Sequence, residues 1–121
     1  MTETDVQREI LEAVQAAGVF AWRNNTGRRG GVSYGLKGSA DIIGVLPDGR
    51  FLAIEVKGPK TPVRQEQWDF LDKVADNGGL AMVARSVDDV VETLLSGGAH
   101  YGRRSSGSIP GRSNPRRAGS S

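Results

Sequence analysis

The run from Gly38 to Lys57 reads G-S-A-D-I-I-G-V-L-P-D-G-R-F-L-A-I-E-V-K, and it decides the fold. Asp41 to Leu46 and Phe51 to Lys57 are apolar, largely β-branched stretches with strand character. Between them stands Pro47-Asp48-Gly49. Proline presets φ, aspartate hydrogen-bonds its own backbone and glycine accepts positive φ, so the three make a turn. The run is therefore a β-hairpin. Three charged residues interrupt it: Asp41, Glu55 and Lys57. A carboxylate in an apolar strand is expensive unless it is paired or bound to a cation. Side chains alternate along a strand, so Glu55 and Lys57 share a face. A three-residue loop, 47–49, sets Asp41 opposite Glu55. A loop of two or four residues pairs Asp41 with Val56 and sends it to the other face. The sequence leaves this register open; the chemistry argues for the first.

Working outward, Thr2 caps a helix with Glu3 and Asp5 in its first turn, where the helix dipole favours acids. Val6, Ile10, Val14 and Ala17 give that helix one apolar face, and Gly18 stops it. Val19 to Arg23 reads as a strand. Residues 24–40, rich in Gly and Asn, read as a loop. After the hairpin, Thr61-Pro62 signals a helix start, with Thr61 as cap and Pro62 as first residue of a helix over 62–77. Trp68, Leu71, Val74 and Ala75 supply its buried face. Gly78-Gly79 ends it, Leu80 to Ala84 is a further strand, and Ser86 caps a last helix that carries Val87, Val90, Val91, Leu94 and Leu95. The order is α-β-β-β-α-β-α. Helices must cover sheet faces, so an α/β domain with a mixed central sheet flanked by helices is expected. The strand of the 80s should run parallel to that of the 50s through a right-handed crossover. Trp22 and Trp68 are expected in the core.

The chain has 121 residues and a formal charge of +2, divided unevenly. Eleven basic against fourteen acidic residues leave residues 1–97 at −3, and five arginines with no acid put residues 98–121 at +5. Those last residues are mostly Gly, Ser, Pro and Arg and are expected to form a disordered basic tail, with the domain confined to 1–97. There is no cysteine and one histidine, His100. That excludes disulfides, thiol nucleophiles, cysteine-ligated zinc and a histidine-rich metal site. No apolar run approaches the ~20 residues of a membrane span, and the first residues lack a signal-peptide core. A cytoplasmic protein with no membrane partner is expected. Any metal chemistry must rest on oxygen ligands, which suit hard ions such as Mg²⁺, Mn²⁺ or Ca²⁺.

Two carboxylates and a lysine at one end of a hairpin suit hydrolysis of a phosphodiester. The acids offer oxygen ligands to a divalent cation, and the lysine can orient water or neutralise charge building on the phosphate. The preceding loop adds Arg23, Asn25, Arg28, Arg29 and Lys37. Glycines there permit close backbone approach and cations meet phosphates, so it reads as a DNA-contacting loop. Phosphate contacts carry no base information, which favours cleavage selected by DNA structure rather than sequence. Gly27-x-x-Gly30-Gly31 has no Lys-Ser/Thr or helix after it, so no nucleotide cofactor is expected.

Gly38-Ser39-Ala40-Asp41 followed by Glu55-Val56-Lys57 resembles the G-x-x-D … E-x-K signature of the PD-(D/E)xK nuclease superfamily, and within it the VRR-NUC (virus-type replication-repair nuclease) domain. Glu3-Thr4-Asp5-Val6-Gln7, Trp22 to Gly27, Thr61-Pro62 with Gln67, and Gly78-Gly79 extend the likeness over about residues 2–95. Ala40 stands where this branch often has proline. The resemblance implies Asp41 and Glu55 as ligands of one or two Mg²⁺ or Mn²⁺ ions, with the Val56 carbonyl as a further ligand and Lys57 as the catalytic lysine. Glu3 would reach the site directly or through water, with Glu9 and Glu12 as rival acids, and Gln67 would support it. It further implies a deoxyribonuclease acting on branched or flapped repair and recombination intermediates such as a Holliday junction. A homodimer and a bacterial or phage setting are also implied. The alternatives are a catalytically inactive DNA-binding module of the same fold and an RNA endonuclease.

Overall fold

The structure, a computed structural model, describes residues 2–25, 27–29 and 32–96. Its elements run α1 (Glu3–Ala16), β1 (Phe20–Arg23), β2 (Gly27–Arg29), β3 (Val32–Tyr34), β4 (Ile42–Val45), β5 (Phe51–Val56), α2 (Gln65–Asp76), β6 (Leu80–Ala84) and α3 (Val87–Ser96). The expected α-β-β-β-α-β-α order holds, with one addition. The segment read as a loop contains an antiparallel ribbon, β2 with β3, which forms a separate two-stranded sheet. Its strands are three residues long, too short for periodicity to show.

Local chemistry explains the element ends. At α1 the Thr2 hydroxyl accepts from Asp5 N and the Asp5 carboxylate accepts from Thr2 N, both at 3.1 Å, which satisfies two otherwise orphaned donors. At α3 the Ser86 hydroxyl accepts from Asp89 N. The start of α2 corrects the expectation: the helix begins at Gln65, not Pro62. Residues 58–61 instead make a turn, with Thr61 N bonded to Gly58 O, residues 62–64 lead into the helix, and Gln67 Oε1 accepts from Arg64 N at 2.9 Å. A side chain inside the helix takes the capping role assigned to Thr61.

The main sheet has the order β1-β4-β5-β6. β1 and β5 both pair antiparallel with β4, and β6 pairs parallel with β5. The hairpin register is the one the chemistry favoured. Ile42 faces Ile54 and Val45 faces Phe51, while Leu46 N bonds Arg50 O and Gly49 N bonds Leu46 O. The loop is thus Pro47-Asp48-Gly49, closed by Gly49 at φ 96°. Continued by one pair, this register sets Asp41 opposite Glu55.

Two cores lie on the two sheet faces. On one, Ile10 and Val14 of α1 and Val90 of α3 pack against Ile42, Leu52, Ile54, Val56, Met82 and Ala84. On the other, Leu71 and Ala75 of α2 pack against Ala53, Ala81 and Val83, with Trp68 partly buried beside them. Trp22 is not in either core. It is 41% exposed, because β1 is an edge strand and α2 lies mainly over β5 and β6.

Gly44 lets β1 join the sheet. A Cβ there would stand 2.5 Å from Phe20 O and 2.8 Å from Ala21 Cα. Both atoms belong to the neighbouring backbone, which can yield only by moving the strand. Gly44→Ala is expected to lower stability by about 1–3 kcal/mol, the usual scale of overpacking, seen as an earlier urea midpoint. An unchanged midpoint would show that β1 is not held this closely.

Candidate active site

Asp41, Glu55 and Lys57 converge where β5 leaves the sheet, on the face covered by α2. Each is fixed by backbone as well as side-chain bonds. Asp41 Oδ2 accepts from Val56 N at 2.8 Å, and Asp41 O accepts from Asn24 N at 2.7 Å. Glu55 is 2% exposed and Lys57 8%. Lys57 N bonds Ala84 O, extending the β5–β6 ladder, and its ammonium stands 3.6 Å from Glu55 Oε2. Gln67, buried at the start of α2, donates from Nε2 to Glu55 Oε2 at 3.0 Å. One amide therefore caps its helix with its oxygen and holds the acid with its nitrogen. Gln67→Leu would leave Arg64 N–H and Glu55 Oε2 without these partners. A loss of about 1–3 kcal/mol in urea unfolding is expected; full retention of stability would contradict the double role.

The electrostatics are unusual for strand residues. Burial, then the neighbouring Asp41 charge, pushes the Glu55 carboxyl up to about 8, with Lys57 opposing. Burial also raises Asp41, opposed by the Val56 N–H. The two carboxyls interact directly. Glu55 Oε1 is buried and has no hydrogen-bond partner. An orphaned carboxylate oxygen beside a second carboxylate calls for a positive species: a proton, or a cation that replaces it.

These residues fit a hard divalent cation of the magnesium kind. Among the described residues no three His, Cys, Asp or Glu side chains are grouped to hold a metal by themselves. Mg²⁺ does not ask for such a cage; it is usually held by one or two carboxylates, waters and substrate phosphate oxygens. Asp41 and Glu55 would supply the two carboxylates.

The other expected residues take varied places. Glu3 Oε2 accepts from Gly58 N at 2.9 Å, tying the start of α1 to the residue after Lys57, and its charge reaches Asp41. Glu9 and Glu12 are exposed on α1. Arg23 and Asn25 are exposed at the end of β1, and Lys37 is exposed with Glu66 at 4.0 Å. Arg28 and Arg29 stand on β2, but their side chains lie outside the described structure, as do His100 and the whole 98–121 segment.

Two positioning residues were not foreseen. Asn24 Nδ2 donates to Ser39 Oγ at 2.7 Å and to Ala40 O at 2.9 Å, closing the base of the 24–40 excursion directly before Asp41. Arg85 Nη1 donates to Gly58 O and Thr61 O, holding the turn that follows Lys57. Nothing in the spacing of either residue signals these long-range bonds.

A mixed four-stranded sheet whose central hairpin ends in an Asp, a Glu and a Lys is the plan of the restriction-endonuclease-like nuclease class. The VRR-NUC domain profile matches residues 1–88, and the chain belongs to the VRR-NUC family. A solved VRR-NUC domain is similar at a TM-score of 0.58 and 24% identity, over 82% of this chain and 96% of that one. At this identity the likeness bears on the fold alone. No curated protein matches the chain. The family is of nuclease type, which suggests DNA as a partner. Among the described residues no helix is long and apolar enough to cross a membrane.

Proposed function

We propose that the chain is a divalent-metal-dependent deoxyribonuclease, selective for branched or flapped DNA. The observation that carries this reading is the half-buried Asp41 paired with buried Glu55 and its orphaned Oε1, beside the Lys57 ammonium. Asp41 and Glu55, with the Val56 carbonyl, would hold Mg²⁺ or Mn²⁺, and Glu3 stands at the margin of that site. When bound, such a cation stabilises charge on the phosphate and acidifies water.

The chain's own residues supply the rest. Lys57 neutralises charge building on the non-bridging phosphate oxygens and orients the attacking water. Water oxygen forms the new bond to phosphorus as the P–O bond to the leaving strand breaks. Gln67 keeps Glu55 in position. Arg23, Asn25, Arg28, Arg29 and Lys37 would meet the DNA backbone and set its path without reading bases. A homodimer, which would present two such sites to a four-way junction, belongs to the same proposal, as do the phage and repair setting.

A panel of labelled linear, flap, fork and four-way-junction DNA, with matched RNA, tests the substrate. With Mg²⁺ or Mn²⁺ the branched DNA should be cut fastest. Preferential cutting of RNA would move the reading to a ribonuclease. Binding by folded protein without cutting in either metal would leave a DNA-binding module.

A further inference from the structure

The sheet face that carries Asp41 and Glu55 is covered unevenly. α2 packs mainly on β5 and β6, and the edge strand β1 keeps two aromatic side chains exposed. The register places residues on this face in rows. Asn24, Asp41 and Glu55 form the row at the site. Trp22, Ile43 and Ala53 form the next, and Phe20, Val45 and Phe51 the one after. Ala21, between the two aromatics, turns the opposite way into the α1 core. Phe20 is 70% exposed, and its ring centroid lies 5.0 Å from that of Trp22. Diagonal neighbours on adjacent antiparallel strands are roughly 7–8 Å apart, so Trp22 stands about that far from Asp41.

From this placement we infer that Phe20 and Trp22 form a stacking platform for an unpaired nucleobase of the strand being cut, next to the site formed by Asp41, Glu55 and Lys57. The inference rests on the nuclease reading and adds which part of the substrate is recognised. Exposed aromatic rings combined with cations that track the backbone are how proteins hold single strands. Here exposed Arg23 follows Trp22 directly, and Lys37 is exposed on the segment that leads to Asp41. Each base inside a continuous duplex already has both faces covered. The platform therefore selects flaps, splayed arms and strand ends. A second copy of the chain is the rival occupant of these rings. Seated one row from Asp41, it would crowd the phosphate path, which favours the nucleobase.

The test is binding of the full chain to fluorescent splayed-arm DNA in EDTA, so that nothing is cut. Three DNAs are compared: all bases present, abasic positions in the unpaired arm next to the fork, and continuous duplex. Wild type should prefer the intact arm over the abasic arm about ten-fold, the scale of one base stacked on an aromatic ring. Trp22→Ala should erase that preference, Trp22→Phe should keep most of it, and neither should alter duplex binding. Equal weakening of all three DNAs by Trp22→Ala, or no change in any, would overturn the inference. So would loss of a dimer by sedimentation with the base preference intact, which would assign the rings to a second copy. Absence of cleavage when Mg²⁺ is restored would count against the nuclease reading and leave the base-preference result untouched.

Discussion

Lys57→Ala is expected to slow cleavage of a branched DNA by at least about 10²–10³-fold, the usual effect of removing one preorganised group that stabilises transition-state charge. Asp41→Ala should be as severe. Both variants should still bind DNA, because the proposed phosphate contacts lie elsewhere, on the segment from Arg23 to Lys37. For Lys57 the loss has two parts. In the proposed function the ammonium would face the reacting phosphate, and it also holds down the proton affinity of Glu55 from 3.6 Å. Without it Glu55 keeps its proton more tightly and is a poorer ligand. Single-turnover cleavage alongside an anisotropy measurement separates chemistry from binding. If Lys57→Ala cuts at the wild-type rate, the lysine is only a partner in a strand salt bridge.

The second large effect concerns stability and reverses the usual sign for an acid. Folded Glu55 holds its proton to about 8, against an ordinary value of 4.5. Between those values the folded chain binds more protons than the unfolded chain, so stability falls as pH rises through that window. Asp41, also raised, acts in the same direction. Metal-free wild type should therefore melt progressively earlier from about pH 5 to pH 8. Glu55→Gln stays neutral and can still accept from Gln67. It should flatten most of that slope, melt several degrees higher than wild type at pH 8, and cut nothing; a 1 kcal/mol change moves the melting point of a domain this size by roughly 4–8 °C. Mg²⁺ should raise the melting point of wild type at pH 8 and leave Glu55→Gln unmoved. Parallel melting curves for the two proteins across the pH range would contradict the assignment of the buried charge.

Much of this site could be read from the chain because local chemistry places the hairpin, while its register was chosen by the chemistry that the charged residues imply. Pro47-Asp48-Gly49 admits a tight three-residue loop, and that loop alone puts Asp41 across from Glu55. The cap at Thr2, the parallel pairing of β6 with β5 and the face shared by Glu55 and Lys57 follow in the same way from neighbours or from strand periodicity. What was missed depends on where strands fall in the sheet. Trp22 has the composition of a core residue, but β1 lies at the sheet edge while α2 packs mainly on β5 and β6, and no local pattern states that order. The β2–β3 ribbon is too short to show alternation. The start of α2 moved because Gln67, deeper in the helix, caps Arg64 in place of Thr61. Asn24 and Arg85 act through oxygens 15 to 27 residues away in sequence, which spacing along the chain does not reveal.

One comparison bears directly on the Asp41–Glu55 pair as a cation site that enables phosphodiester cleavage. A labelled four-way junction is incubated with purified wild type and with Asp41→Ala from matched preparations, each in EDTA and in Mg²⁺ or Mn²⁺. Cutting by wild type with metal only, and none by the variant in any condition, is the predicted result. Cutting by wild type in EDTA at the same rate, or by Asp41→Ala with metal, would contradict it.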